Sequence, residues 1–183
     1  MNKLAIFFAT GYEEIEALTV VDICRRCGLT IDMVSVTGER SVTGSHKISV
    51  AMDMLFEEMN PAEYDMLILP GGKAGVEGLE AHTGLMEMVD AFYEGEQYVA
   101  AICAAPSILG HRGILKGRNA CSYPSFESHL EGANVTAGPV EISDHVITSR
   151  GMGTSIDFAL AIVGQLLGSD VADEMAKTIV YRV

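Results

Sequence analysis

Tyr98-Val99-Ala100-Ala101-Ile102-Cys103-Ala104-Ala105-Pro106-Ser107 is the stretch around which the chain is organised. Val99 to Ile102 read as a short apolar strand and Ala104 onward as a helix of small residues, with Cys103 at the join. A side chain at such a turn is pushed out of the packed sheet, and the first helical N–H groups point back at it. Those unpaired donors favour negative charge, so a lowered thiol pKa and a seat for a developing oxyanion are expected. Ala104 and Ala105 let the backbone turn sharply. Pro106 fits the first helical turn, where a missing N–H costs nothing. The plainer alternative is a buried structural cysteine, but strand, small flanks and helix start together favour a reactive one.

Outward from this elbow, strands and helices alternate. Lys3 to Phe8 (KLAIFF) is a continuous apolar run of the kind found in central parallel strands. A helix opens at Glu13-Glu14-Ile15-Glu16 and lasts to about Cys27, where Gly28 stops it. Leu29 to Val36 reads as a second strand, Thr37 to Ala51 as a small hairpin, and Leu55 to Asn60 as a short helical turn. Tyr64 to Leu69 is another buried strand, ending in Pro70-Gly71-Gly72. His82-Thr83 then caps a helix to about Glu94. Beyond the elbow come a short strand at 118–122, one or two strands between Val135 and Thr148, a helix from Ile156 to Leu167 and a last helix from about Val171 to Thr178. This alternation predicts an α/β domain with a mainly parallel sheet covered on both faces. Ligands in such folds sit beyond the carboxyl ends of the strands. The loop before Glu13, the Gly71-Gly72 turn and Cys103 should therefore share one crevice.

With 183 residues and 49% hydrophobic content, one domain over 1–183 is expected. No apolar stretch reaches the roughly 18 residues of a membrane span. The N-terminus runs straight into a strand, with no cleavable signal. A cytoplasmic setting is expected, in which Cys24, Cys27, Cys103 and Cys121 are thiols. A net charge of −13 argues against nucleic acid or an anionic membrane as partner.

Few other residues carry chemistry. Acidic residues at a helix start complement its dipole, so Glu13, Glu14 and Glu16 are read first as helix starters. Gly71-Gly72 lets a backbone N–H approach a ligand and, with the N–H of Ala104, form an oxyanion hole. Cys24-Arg25-Arg26-Cys27 has C-x-x-C spacing, yet it lies late in a helix, where the dipole opposes a thiolate. His46, His82, His111, His129 and His145 lack metal-ligand spacing and are read as surface or loop residues. No metal site is expected, and no phosphate-binding glycine motif is present.

LPGG at 69–72, AICAAPS at 101–107, GYEEIEA at 11–17 and TSRGMGTSIDFALAIV at 148–163 together resemble the ThiJ/PfpI superfamily. The resemblance is to its DJ branch, that of the parkinsonism-associated oxidation-sensing protein and its bacterial relatives. It runs in order from Lys3 to about Lys177. It implies a flavodoxin-like three-layer sandwich with a nucleophile elbow, a homodimer formed partly by the first helix around Arg26, and no cofactor. Carried over position by position, the reactive cysteine is Cys103, the glutamate that hydrogen-bonds it is Glu16, and the glycine turn is Gly71-Gly72. Arg150 is the arginine beside the pocket. Many relatives place a histidine before a proline near the cysteine; here Tyr123-Pro124 stands there, so a Cys-His-acid protease is not expected. Tyr123 remains a pocket residue able to hydrogen-bond a ligand. The activity implied is of the glyoxalase or protein deglycase type, acting on a small aldehyde or glycated substrate. The alternative is an oxidative-stress sensor or redox chaperone in which Cys103 becomes a sulfinate without turnover.

Overall fold

Alternate residues of β1 (Lys3–Phe8) enter two separate cores, Ala5 and Phe7 on one side, Leu4, Ile6 and Phe8 on the other. A strand apolar on both faces belongs in the middle of a sheet covered twice. The computed structural model, which describes residues 2–182, has that arrangement.

Along the chain follow α1 (Glu14–Arg26), β2 (Thr30–Ser35), β3 (Ser41–Thr43), β4 (Ser49–Ala51), β5 (Met54–Leu55), β6 (Met66–Leu69), α2 (Lys73–Ala81), α3 (Thr83–Glu94) and β7 (Tyr98–Ile102). Then come α4 (Pro106–His111), β8 (Asn119–Ala120), β9 (Asn134–Val135), β10 (Val140–Ser143), β11 (Val146–Ser149), α5 (Ser155–Leu167) and α6 (Ser169–Thr178). Seven strands form the main sheet in the order β10-β11-β7-β6-β1-β2-β5. All neighbours are parallel except β10, which runs antiparallel to β11. The inner order β2-β1-β6-β7-β11 is flavodoxin-like, and its switch point lies between β1 and β6. β3 and β4 form the expected hairpin, and β8 pairs with β9 in a small parallel ribbon.

Each face has its own helical layer. Ala17 and Val20 of α1 and Phe158 and Ile162 of α5 pack with Ile6, Ile68 and Ala100, and Met175 of α6 backs the same cluster. Leu79 of α2, Val89 of α3 and Ile108 of α4 pack with Phe7, Leu67 and Val99 on the opposite face. Among the described residues no helix is long and apolar enough to cross a membrane.

Three elements depart from the sequence reading. Residues 73–81, which carried no assignment, form α2; Gly75 and Gly78 weaken its helical signal. Gly75 serves close packing, since a Cβ there would stand 2.7 Å from Tyr12 Cα. β5 is a two-residue edge strand with too little pattern to read. The strand expected at 118–122 exists as β8 but lies outside the main sheet.

Phe158 is fully buried between α5 and the sheet. Phe158→Ala is expected to lower stability by about 3–5 kcal/mol through lost burial and the cavity left behind. Urea denaturation measures it; a loss below about 1 kcal/mol would mean that this face of the sheet is not load-sharing.

Candidate active site

The carboxyl ends of β1, β6 and β7 lie side by side at the switch point, so the residues that follow them meet. The loop after β1 is tied to the glycine turn by the Glu13 N–H, which donates to the Gly71 carbonyl at 2.9 Å. In return the Gly71 N–H donates to Glu16 Oε2 at 3.0 Å, a fully buried bond. Space here requires glycine. A Cβ on Gly71 would overlap the Glu16 carboxylate and stand 3.0 Å from Cys103 Sγ. The expected convergence of three strand ends is therefore present, and Glu16 and Cys103 face each other across it.

Cys103 has φ +66°. For a residue with a Cβ this left-handed conformation costs about 1–2 kcal/mol and persists only where the surroundings impose it. Both of its backbone groups are held: its N–H donates to Ser149 O at 3.0 Å, and its carbonyl accepts from Tyr123 N–H at 2.8 Å. The strained turn lifts the sulfur off β7 toward the backbone N–H groups of Gly72 and Ala104. Gly71 N–H is committed to Glu16, so of the three expected donors only those of Gly72 and Ala104 face sulfur.

The expected lowering of the thiol pKa does not occur. Burial pushes Cys103 up to about 12, the charge and hydrogen bond of Glu16 add to the rise, and the Gly72 and Ala104 N–H groups only partly oppose it. Glu16 is itself pushed up to about 7, by burial first and by the Glu13 charge; its hydrogen bonds with Cys103 and Gly71 counteract this in part. Thiol and carboxyl thus titrate as a pair that gives up its first proton near neutrality and holds the second into strongly basic solution.

The remaining expected residues take varied positions. Tyr123 is half exposed, and a Cβ on Gly151 would stand 3.4 Å from its ring edge and 3.9 Å from Cys103 Sγ, so both border the space beside that glycine. Arg150 directly follows Ser149, but its side chain turns to Glu127, with Nη2 3.5 Å from the carboxylate. Its Nε is buried without a hydrogen-bond partner among the described residues. Glu14 is no mere helix starter. It is buried and accepts from the His46 N–H at 2.8 Å and from Ser45 Oγ at 3.1 Å. Burial opposes its ionisation, but these hydrogen bonds and His46 win and hold it at about 2. Nothing in the linear sequence pairs Glu14 with a hairpin loop 32 residues away. Glu13, Glu14 and His46 place donor atoms within 4.8 Å of one another, with Glu14 already engaged by the hairpin.

A model of the DJ-1/PfpI family matches residues 2–165. The chain belongs to the DJ-1/PfpI family. It is 34% identical over 184 residues to Protein DJ-1 homolog A of Arabidopsis thaliana, covering 99% of this chain and 47% of that protein. It therefore spans about half the length of that relative. It is 30% identical over 185 residues to the Parkinson disease protein 7 homolog of Danio rerio, covering 99% of this chain and 98% of the other. Oxidized Toxoplasma gondii DJ-1 shares the fold with a TM-score of 0.95 at 30% identity, each chain covered completely. The family and the flavodoxin-like fold implied by the four motifs are both shown; α6 lies beyond the matched residues.

The Cys103–Glu16 pair of this DJ-1/PfpI chain should leave a mark on stability. Unfolded Glu16 ionises near 4.5, whereas the folded pair releases its proton near 7, so the folded state binds the extra proton in between. Stability contributed by this proton is complete below about pH 4.5 and is lost as pH rises to about 7, by about 3 kcal/mol. Urea denaturation across that window should show the fall in wild type and a flatter profile in Glu16→Gln. Equal slopes would refute the assignment.

Proposed function

We propose that this chain acts on reactive carbonyls, with Cys103 as nucleophile and Glu16 as proton shuttle. The observation that carries this reading is one site that joins a partly buried thiol, a buried carboxyl that exchanges its proton near pH 7, and two backbone N–H donors. A proton carrier poised near neutrality suits general acid–base catalysis, and the fixed N–H groups suit an oxyanion. For a 2-oxoaldehyde such as methylglyoxal, the Cys103 S–H proton passes to the Glu16 carboxylate as the sulfur bonds to the aldehyde carbon, and Glu16 hands that proton to the carbonyl oxygen, giving a hemithioacetal and a free carboxylate. Glu16 then removes the hydrogen on that carbon, and the enediol collapses with protonation of the neighbouring carbon to a thioester. Water cleaves the thioester, releasing a 2-hydroxy acid and the thiol. One carbon is oxidised and its neighbour reduced, so no external redox partner or cofactor enters. In this reading Tyr123, which borders the space beside Gly151, hydrogen-bonds the bound carbonyl compound, and Arg150, paired with Glu127, braces the neighbouring segment.

A second reading is supported by the same donors and by the oxidized state of the similar Toxoplasma gondii DJ-1. Here two equivalents of peroxide oxidise Cys103 to sulfenate and then sulfinate, releasing water each time, and Glu16 with the Gly72 and Ala104 N–H groups holds the product. Methylglyoxal consumption with hydroxy-acid detection separates the two. Catalytic turnover abolished in Cys103→Ser and depressed at least tenfold in Glu16→Gln is expected. Aldehyde loss that stops at one equivalent per chain would overturn the enzyme reading in favour of the sensor.

The proposal includes a homodimer. Ile15 and Ile48 are about half exposed, 49% and 52%, and with Leu18, Ile156 and Ile179 they line an apolar depression along α1 that reaches Arg26. A second copy of the same face would cover it. Sedimentation velocity should find a dimer for wild type and a monomer for Ile15→Glu; a wild-type monomer at micromolar concentration would exclude it.

A further inference from the structure

We propose that His111 and His129 form a binding site for a divalent first-row transition metal of the zinc class, separate from the reactive cysteine. His111 is the last residue of α4, the helix that leaves the elbow, and His129 ends the 3-10 helix Pro124–His129. The chain between them folds back so that His111 Nε2 lies 3.1 Å from His129 Nδ1. Two nitrogens that each ligate a tetrahedral zinc at about 2.0–2.1 Å stand about 3.3 Å apart, so the pair already has nearly the separation a chelate needs.

The tautomer is set as well. His111 Nδ1 lies 2.6 Å from Glu80 Oε1 of α2. The carboxylate accepts from Nδ1–H, which leaves the Nε2 lone pair bare and directed at His129. A ligating histidine characteristically donates its other ring N–H to a carboxylate, which orients the ring and raises its basicity. Without a metal, His129 fills the gap by donating Nδ1–H to His111; with one, His129 takes the Nε2–H tautomer and both lone pairs turn to the ion. No net proton is released. Arg112, next to His111 in the chain, is paired with Asp90, and the net charge of −13 favours a cation in the surroundings. His129 and His111 lie at the surface, so the rings can turn and water can complete the coordination sphere. Imidazole donors suit zinc, copper and nickel rather than magnesium or calcium.

The bound ion would pin three elements, α2, α4 and the 3-10 helix that starts beside Tyr123. The test is calorimetric titration of the full chain with zinc. Wild type, His46→Gln and Cys103→Ser should bind one zinc alike, in the micromolar range. His111→Gln and His129→Gln should each weaken binding at least tenfold, and Glu80→Gln by about tenfold. Both histidines are surface residues, but a readout that needs no variant is also available. In imidazole nitrogen NMR of the wild type, zinc should shift His111 Nε2 and His129 Nδ1. The proposal is overturned if those two nitrogens do not respond, if affinity survives His129→Gln, or if it is lost with His46 or Cys103 instead.

Discussion

A carboxyl and a thiol buried against one another with two donors on the sulfur is the constraint from which the rest of this structure follows. Neither group can ionise freely there, since burial disfavours the charged form of each and each charge opposes the other. The contact exists only because Gly71 has no Cβ and because Cys103 accepts a left-handed backbone conformation. Such an arrangement is locally unfavourable in every term: a strained dihedral, a buried acid, a desolvated thiol. It must be imposed by something stiffer.

The sheet supplies that stiffness. β6 and β7 are buried on both faces, and the elbow is an extension of β7, so its backbone cannot relax without disturbing two cores. The neighbouring strand β11 ends at Ser149, whose carbonyl holds the Cys103 N–H, and the return loop supplies Tyr123 N–H for its carbonyl. Helix α1 brings Glu16 from the other side of the switch point. Its first turn is anchored twice, by Glu13 N–H on Gly71 and by the Glu14 carboxylate on the hairpin loop at Ser45-His46. The Glu13 and Glu14 carboxylates therefore turn to the hairpin loop while Glu16, two residues on, turns to the sulfur.

The wall beyond the sulfur is built differently. Tyr123, Glu127 and His129 lie on or beside one short 3-10 segment, and each reaches a separate part of the fold: the elbow carbonyl, Arg150 and His111. Few apolar contacts hold this segment compared with the sheet, so polar links carry most of its placement. That is the kind of element whose position a ligand, a proton or a metal ion is able to bias.

How much was legible beforehand divides along physical lines. Alternation of strands and helices, the double-faced burial of KLAIFF and YVAAI, and the elbow at Cys103 could all be read directly, because periodicity and local backbone chemistry are properties of neighbouring residues. The choice of Glu16 over Glu13 and Glu14 came from the resemblance, since three acids within four residues look alike until a helix axis is fixed. α2 was hidden because its glycines answer to Tyr12 and Ala9 across the fold rather than to their own helix. The direction of the thiol's pKa was misjudged because the helical donors are local, while burial and the Glu16 charge are tertiary and larger. The His111–His129 contact, 18 residues apart with no ligand spacing, exists only once α4 and the 3-10 segment are packed. Local pattern along the chain was enough for most of the elements, for their layering and for the reactive residue at the end of β7. Tertiary structure alone decided which charges meet, because Coulombic and desolvation energies depend on distances through space that no spacing along the chain encodes.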